Sequence, residues 1–259
     1  MITIKTKEDI ATLREGGRRH AHILREIAKM VKSGVSAGEL EDMARKMIND
    51  GGDKAAFLDY KPHGANRPYP AALCVSINDE VVHGIPNEKD KILKDGDIVS
   101  IDLGLIHNEL ITDMAVTVPV GNITKEVDEL LSITKSALMA GIKAAKGGKR
   151  VGDIGHAIAR VGMSGNGGKG YGIVEELSGH GVGYDVHEDP YVPNYGKPGT
   201  GEILKPGMVI AIEPMFNLGK KDVVLDEDGY TYKTLDGLPS AHFEHTVLIT
   251  KGNAEILTA

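Results

Sequence analysis

The 259-residue sequence is poor in the residues that form disulfides and aromatic stacking surfaces. It holds one cysteine, Cys74, and no tryptophan, and only 4% of its residues are aromatic. A single cysteine excludes an internal disulfide, which fits a reducing compartment, so we expect a cytoplasmic protein. The scarcity of aromatic residues argues against a stacking platform for single-stranded nucleic acid, and the net charge of −7 argues against a phosphate-binding surface.

Long apolar segments are also absent from the sequence. No stretch approaches the roughly 20 apolar residues that a membrane-spanning helix needs. The segment Met1–Asp9 lacks the apolar core of a signal peptide. We therefore expect neither membrane insertion nor secretion. With 41% hydrophobic and 26% charged residues, the composition is that of a globular chain with a sizeable core.

The helical and strand patterns suggest two similar halves. Two helices are predicted to begin at capping boxes whose first residues are Thr6 and Ser36. Two more are predicted at Thr124–Lys146 and Val151–Val161. The strand candidates outside the hairpin described next are Ala55–Leu58, Leu73–Ile77, Met208–Glu213, Thr231–Thr234 and Ala241–Thr250. Because helices precede strands in each half, we predict an internally duplicated α+β architecture.

Two aspartates interrupt a predicted β-hairpin. Its apolar, β-branched strands are Asp97–Ile106 and Glu109–Val118. A two-residue turn at His107-Asn108 would place Asp102 directly opposite Asp113, with their Cβ atoms roughly 4.5–5.5 Å apart. The alternative is a solvated pair in which one aspartate binds a lysine or arginine. Since apolar residues occupy both faces of the strands, we expect burial, and a buried pair of like charges favours a metal ion between them.

A glycine-rich turn carries two histidines. Residues 178–183 read SGHGVG, and HEDP follows at 187–190. The glycines leave His180 open to a ligand. A phosphate-binding nest is the alternative, but no Lys or Ser/Thr follows in the P-loop pattern. His187 lies seven residues further on, so we expect the two histidines to have different roles.

Two glutamates, Glu213 and Glu244, each interrupt an apolar strand pattern. Together with Asp102, Asp113 and His180 they make a set of four carboxylates and one imidazole. Four carboxylates neutralise two divalent cations, which make a bridging water acidic enough to act as a nucleophile near neutral pH. Oxygen-rich ligation with one imidazole suits Mn²⁺, Fe²⁺, Co²⁺ or Zn²⁺. The set therefore predicts a metal-dependent hydrolase.

In their order along the chain, the motifs resemble those of the type I methionine aminopeptidases. They are His83-Gly84-Ile85-Pro86, Asp102, Asp113, Gly179-His180-Gly181, His187-Glu188-Asp189-Pro190, Ile212-Glu213-Pro214-Met215 and Phe243-Glu244-His245-Thr246. The resemblance covers essentially the whole chain. It implies an α+β pita-bread fold with pseudo-twofold internal symmetry, in which residues 1–259 form one catalytic domain. It also implies removal of the initiator methionine from nascent polypeptides with a small second residue, through attack by a water that bridges two metal ions.

The resemblance assigns the five metal ligands individually. Asp113 and Glu244 would bridge both ions, Asp102 would chelate one of them, and His180 and Glu213 would hold the other. The two ions would be Co, Mn, Fe or Zn.

The resemblance also implies roles around the scissile bond. His83 would assist the leaving nitrogen, His187 would hydrogen-bond the substrate carbonyl, and Glu213 would shuttle the proton. The pocket for the methionine side chain would be lined by Tyr69, Cys74 and Tyr230. The expected partners are nascent polypeptide N-termini, with the ribosome as a candidate, and not nucleic acid or membrane. We expect a monomer.

Two other functions compete with this interpretation. A proline-directed pita-bread peptidase, such as a prolidase, generally carries an additional N-terminal domain, which the segment Met1–Ile48 cannot provide. A non-catalytic pita-bread binding module is expected to have lost one or more metal ligands, and all five are present here.

Overall fold

The computed structural model describes residues 2–62 and 64–259, and the described residues include four α-helices. The helices are α1 (Lys7–Met30), α2 (Ala37–Asp50), α3 (Lys125–Ala144) and α4 (Val151–Ser164). All four predicted helices are confirmed. The capping boxes at Thr6 and Ser36 both form, because each hydroxyl accepts the backbone N–H of the third helical residue, whose carboxylate accepts the cap N–H in return. Among the described residues, no helix is long and apolar enough to cross a membrane.

The strands follow each pair of helices. Those of the first half are β1 (Lys54–Ala55), β2 (Leu73–Ile77), β3 (Glu80–Val82), β4 (Ile98–His107) and β5 (Leu110–Pro119). Those of the second half are β6 (Gly172–Ile173), β7 (Ser178–Gly181), β8 (Glu188–Pro193), β9 (Val209–Ile212), β10 (Met215–Asn217), β11 (Val223–Leu225), β12 (Tyr232–Thr234), β13 (Ser240–His242), β14 (His245–Leu248) and β15 (Glu255–Ile256). The predicted succession of helices and then strands therefore occurs twice.

Each half packs its helices on an antiparallel sheet. In the first half, β4 pairs with β1 and β2 on one side and with β5 on the other. Leu24 of α1 and Leu40 of α2 share a buried cluster with Ile101 of this sheet. The second half has a five-stranded sheet in the order β15-β14-β9-β7-β8. Leu138 of α3 and Ile154 of α4 pack in another buried cluster with residues of this second sheet.

The hairpin of β4 and β5 forms, but the predicted register is wrong. Its turn residues are Asn108 and Glu109, which both have positive φ, whereas His107 remains in β4 and pairs with Leu110. Asp102 therefore lies opposite Ala115 and not opposite Asp113, which pairs with Gly104. Because the register moves by two residues, both aspartates stay on one face as diagonal neighbours.

The predicted strand bounds also need correction. The single strand predicted over Ala241–Thr250 is two strands, because β13 pairs with β10 whereas β14 pairs with β9. The chain changes sheets at Phe243 and Glu244. The strand predicted over Met208–Glu213 ends at Ile212, so Glu213 lies just beyond β9. Of the strand predicted over Ala55–Leu58, only Ala55 lies in a strand, because β1 ends at this residue.

Hydrogen bonds join the two halves along β5, and three of the bonded pairs involve residues 113 to 117. The N–H of Glu244 donates to the carbonyl oxygen of Ala115 at 2.9 Å. Asp113 and Thr246 exchange two bonds: the Asp113 N–H donates to the threonine hydroxyl at 2.8 Å, and the hydroxyl donates to the Asp113 carbonyl at 2.7 Å. Further along β5, the N–H of His242 donates to the hydroxyl of Thr117 at 2.8 Å. This seam places Asp113 and Glu244 beside each other.

A buried carboxylate anchors the start of β2. Glu41 of α2 is 2% exposed and accepts the backbone N–H groups of Ala72 and Leu73, both at 2.8 Å. We expect Glu41→Ala to lower the free energy of unfolding by about 2–4 kcal/mol, because it leaves two buried donors without acceptors. In urea denaturation the matched variant Glu26→Ala, which removes an exposed ion pair with Lys29, should behave like the unmodified protein. Equal stability of the two variants would contradict the anchoring role.

Candidate metal centre and active site

One cavity of about 660 Å³ is lined by residues from both halves of the chain. It brings together every site residue that the sequence predicts. Those residues are Tyr69, Cys74, His83, Asp102, Asp113, His180, His187, Glu213, Tyr230 and Glu244. They come from segments as far apart as β2 and β14, so the cavity depends on the packing of one half against the other.

The acidic residues reach the cavity from β4 and β5 of the first sheet and from the adjoining ends of β9 and β14 in the second. Asp102 and Asp113 project from β4 and β5 of the first sheet. In the second sheet, β9 and β14 pair with His245 opposite Ile212. Glu213 and Glu244 are the next residues beyond that last pair, so they face each other where the two strands separate. The carboxylates therefore converge from two hairpin-like pairs of strands.

His180 of β7 completes the cluster. Its Nε2 lies 3.4 Å from Oε1 of Glu213 and 3.9 Å from Oδ2 of Asp113. One ligand atom each of Asp113, His180 and Glu244 lie within 4.8 Å of one another, and all three residues are buried. This spacing is close enough for shared coordination of a metal ion.

The tautomer of His180 follows from its other ring nitrogen. Nδ1 lies 2.9 Å from the carbonyl oxygen of Gly181, which only accepts hydrogen bonds, so Nδ1 carries the proton. Burial lowers the pKa of His180 to about 3, so the ring is neutral and Nε2 presents a lone pair. A lone pair that faces carboxylate oxygens is repulsive unless a cation lies between them. The carbonyl of Gly181 thus fixes the imidazole in the form that binds metals.

The pKa values of the carboxylates show how unfavourable their charges are without a cation. Burial raises the pKa of Asp102 to about 7 and that of Glu213 to about 8. Burial, with the neighbouring carboxylates, holds the pKa of Asp113 and of Glu244 well above the usual range. Within residues 2–62 and 64–259, the ion pairs of this cluster are all with histidines. The alternative in which lysine or arginine neutralises the aspartates therefore fails for the described residues.

Two carboxylate oxygens support a metal site directly. Oδ1 of Asp102 and Oε1 of Glu244 are buried and have no hydrogen-bond partner. A buried acceptor without a donor is costly, and a divalent cation satisfies it. With four oxygen donors and one imidazole, the residues fit Mn²⁺, Fe²⁺, Co²⁺ or Zn²⁺.

The two histidines outside the cluster are held differently. His187 lies with its ring 4.5 Å from that of His180, and its Nδ1 is 2.9 Å from the Tyr60 hydroxyl. His83 has a left-handed backbone, with φ 59°. The next residue must be glycine, because a Cβ on Gly84 would lie 2.3 Å from the Val75 carbonyl oxygen. This close approach of the two backbone segments explains why glycine follows His83 in the sequence His83-Gly84-Ile85-Pro86.

The predicted pocket residues form a compact wall. The rings of Tyr69 and Tyr230 meet edge to face with centroids 5.1 Å apart, and Cys74 belongs to the same buried cluster. The Tyr69 hydroxyl donates to the carbonyl oxygen of Gly84 at 3.0 Å, which ties this wall to the His83 segment. The wall is apolar enough to receive an unbranched thioether side chain.

Several lining residues escaped the sequence analysis. Phe57 and Tyr60 come from the irregular segment after β1, where no periodic pattern singles them out. His242, at the end of β13, does not line the cavity but lies beside the carboxylates, with Nε2 3.6 Å from Oε2 of Glu213 and 4.0 Å from Oε2 of Glu244. The two-residue spacing between His242 and Glu244 on one strand pattern is the signal that could have identified this histidine.

Two antiparallel sheets, each covered by a pair of helices and meeting at a buried acidic cavity, define a metallohydrolase of the pita-bread fold. Residues 11–251 match metallopeptidase family M24. A methionine aminopeptidase of Aquifex aeolicus is 46% identical to this chain over 99% of this chain and 98% of its own length. The chain therefore belongs to metallopeptidase family M24 and, within it, to the methionine aminopeptidases.

Solved structures agree with this assignment. The crystal structure of methionine aminopeptidase from Thermotoga maritima is 43% identical, with a TM-score of 0.92, and the match covers 100% of this chain and 99% of that chain. A prolidase from Pyrococcus furiosus has a TM-score of 0.75 at 25% identity, and the match covers 99% of this chain but 65% of that chain. The predicted α+β pita-bread fold and the family resemblance are confirmed, and the prolidase alternative is the weaker one.

The raised pKa values predict how the metal-free protein responds to pH. Carboxyls whose pKa is raised on folding stabilise the protein at low pH, and this stability is lost as pH rises toward their folded values. For Asp102 and Glu213 those values are about 7 and about 8. Buried histidines such as His20 and His245, whose pKa burial lowers to about 3 and about 4, act in the opposite direction below about pH 6.5. The window from about pH 6.5 to 8 therefore isolates the carboxyls.

In a chelator, we expect the thermal midpoint to fall between about pH 6.5 and 8, because the unfolded chain has released the protons of these carboxyls, whereas the folded protein must keep them or hold the charges without a counter-ion. Excess Mn²⁺ or Co²⁺ should raise the midpoint most at the upper end of this range, since metal binding needs deprotonated ligands. A midpoint in chelator that stays constant or rises over this range would contradict the electrostatic description of the cluster.

Proposed function

We propose that this protein removes the N-terminal methionine from nascent polypeptides whose second residue is small. The observation that carries the proposal is the convergence of four carboxylates, three of them buried, on the unprotonated Nε2 of His180, in a cavity that also has an apolar wall. Membership of the methionine aminopeptidases supports methionine as the residue that is released.

The metal ligands are assigned from the donor set. Asp102, Asp113, His180, Glu213 and Glu244 would hold two divalent ions, which would be Co, Mn, Fe or Zn. Such ions, when bound, supply a water acidic enough to act as a nucleophile near neutral pH. The contribution of the chain is to hold these ligands together where the ion pairs of the described residues include no lysine or arginine.

The remaining chemistry falls to three side chains. Glu213 accepts the proton of the attacking water and delivers it to the departing amine, because its carboxylate lies in the cavity between His180 and His242. His187 donates a hydrogen bond from Nε2 to the substrate carbonyl, since its Nδ1 is occupied by the Tyr60 hydroxyl. His83 assists the leaving nitrogen.

The apolar wall selects the first residue of the substrate. Tyr69, Cys74 and Tyr230 receive the methionine side chain. The edge-to-face contact of the two tyrosine rings keeps this wall rigid, so the pocket discriminates by shape as well as by hydrophobicity.

The cellular setting is proposed on the same basis. Residues 1–259 act as a single catalytic domain and as a monomer in the cytoplasm, where new polypeptides emerge. The ribosome is the candidate site of that encounter. We propose no direct contact with nucleic acid or membrane, in keeping with the net charge of −7.

Substrate preference tests the proposal most simply. The metal-loaded protein should release methionine from Met-Ala-Ser and leave X-Pro dipeptides intact, because we assign its apolar wall to the methionine side chain of the first residue. Chelation should abolish this activity and added metal should restore it. Cleavage of X-Pro dipeptides in preference to Met-Ala-Ser would favour a prolidase over a methionine aminopeptidase. Activity that chelation does not change would contradict a metal-dependent reaction.

Two substitutions separate ligands from residues that act on the substrate. His83→Ala should keep the metal content while lowering kcat roughly 10²–10⁴-fold, because His83 is not a metal ligand and its loss removes only the assistance to the leaving nitrogen. Glu213→Gln should lower both metal content and kcat, since it removes a ligand and the shuttle together. The measurements are elemental analysis and steady-state kinetics. Loss of metal from His83→Ala, or normal turnover by Glu213→Gln, would contradict these roles.

A further inference from the structure

A buried lysine near the start of the chain contacts the turn that carries His187. The side chain of Lys5 is 0% exposed, and its Nζ lies 2.7 Å from Oε2 of Glu188, whose side chain is 4% exposed. The two residues are 183 positions apart in sequence. A lysine this deeply buried needs a partner, because an unpaired ammonium group away from water is unstable.

The carboxylate of Glu188 closes the turn before His187. Its Oε1 accepts the backbone N–H of Tyr184 at 2.6 Å and that of Asp185 at 3.2 Å. Its Oε2 accepts from both Lys5 and the hydroxyl of Thr3. One side chain thus fastens the turn to the segment that precedes α1.

The glycine-rich motif makes room for this contact. Gly183, the last glycine of the SGHGVG segment, has φ 140°, and a Cβ on it would lie 2.3 Å from Cε of Lys5. The Nζ of Lys5 also lies 4.5 Å from the centroid of the Tyr184 ring. Neither metal binding nor the substrate chemistry above gives Gly183 a role. The lysine side chain that passes beneath the turn does require glycine at this position, because a Cβ there would collide with it.

The Lys5 segment is itself fixed at a second point. The backbone N–H of Lys5 donates to the carbonyl oxygen of Gly207 at 2.8 Å, just before β9. Thr3 and Glu188 also line the catalytic cavity. Glu188 directly follows His187 in the sequence. The ion pair therefore connects a fixed point of the second sheet to the cavity wall.

We propose that Lys5 and Glu188 are a positioning pair that holds the 183–188 turn so that His187 faces the substrate carbonyl. The proposal rests on the role given to His187 under the proposed function. We assign neither side chain a contact with the substrate, because the two charged groups are buried against each other. Their effect passes through the backbone, since Glu188 is the residue next to His187.

The first test compares ion-pair variants in the metal-loaded enzyme. Lys5→Met and Glu188→Gln should lower kcat roughly ten- to hundredfold for Met-Ala-Ser while KM changes less than about twofold, because a displaced catalytic group costs rate more than ground-state binding. Lys5→Arg, which keeps the charge, should recover part of kcat. The matched control Arg14→Met removes an exposed ion pair between α1 and Glu255 and should leave kcat unchanged. Normal kcat in both Lys5→Met and Glu188→Gln would overturn the proposal.

The second test places the same changes in a His187→Ala background. If the pair acts through His187, Lys5→Met should lower kcat no further there, although it lowers the thermal midpoint equally in both backgrounds. A further loss of the same size as in the unmodified enzyme would overturn the positioning role and leave a purely structural one. If His187→Ala alone keeps full kcat, the proposed role of His187 fails instead, which distinguishes the two failures.

Amide hydrogen exchange provides a measurement that does not depend on activity. The N–H groups of Tyr184 and Asp185 should exchange faster in Glu188→Ala than in the unmodified protein, since their acceptor is gone. Exchange in β2, which pairs with β4 and not with this turn, should be unaffected if the variant folds normally. Unchanged exchange at the two turn amides would show that Glu188 does not anchor the turn, and it would overturn the proposal.

Discussion

The structure depends on one unfavourable arrangement, in which three buried carboxylates, the partly exposed carboxylate of Glu213 and a neutral imidazole lone pair face a common space. Nε2 of His180 lies within 4 Å of an oxygen of Asp113 and of an oxygen of Glu213, and no lysine or arginine among the described residues separates them. Burial without a counter-charge drives the carboxyl pKa values upward, toward protonated and metal-incompetent forms. Divalent cations remove this conflict, and the same cations give the cavity its chemistry. Stability and activity therefore have one physical origin.

The pita-bread fold creates this arrangement by bringing two similar sheets together. Hydrogen bonds from β5 to Glu244 and Thr246 hold the sheets at the point where Asp113 and Glu244 meet. No single half contains all five proposed ligands, since Asp102 and Asp113 come from the first half and His180, Glu213 and Glu244 from the second. The site therefore exists only when both halves are folded and packed. The helices α1 to α4 lie on the outer faces and leave the inner space to polar groups.

Much of the site was predictable because acidic residues stand out within apolar strands. Asp102, Asp113, Glu213 and Glu244 each break a hydrophobic pattern, and the family motifs supplied the histidines. The register of the first pair was not predictable from local sequence. Asn108 and Glu109 both adopt left-handed conformations, and preference alone did not select Glu109 over His107, whose ring instead bonds to Asp53 at 2.7 Å. The prediction that both aspartates lie on one face of the hairpin was still correct, because the predicted register was wrong by two residues and side chains alternate between faces with a period of two.

Contacts between segments that are distant in the chain could not be predicted from local sequence patterns. Tyr60 enters the cavity from an irregular loop, and its bond to His187 has no periodic signature. Lys5 and Glu188 meet only because the segment before α1 runs beneath the glycine-rich turn. The switch of the chain from β13 to β14 at Glu244 likewise depends on which strands are available as partners. Pairing between remote strands is decided by the packing of the whole molecule and not by local preference.

Anomalous diffraction from crystals grown with Mn²⁺ tests the central claim most directly. Two anomalous peaks roughly 3.5–4 Å apart should appear among Asp102, Asp113, His180, Glu213 and Glu244, with the oxygens of Asp102 and Glu244 that now lack partners as ligands. Crystals without a peak at this cluster, in which the carboxylates instead turn away from one another or bind protein cations, would contradict the account.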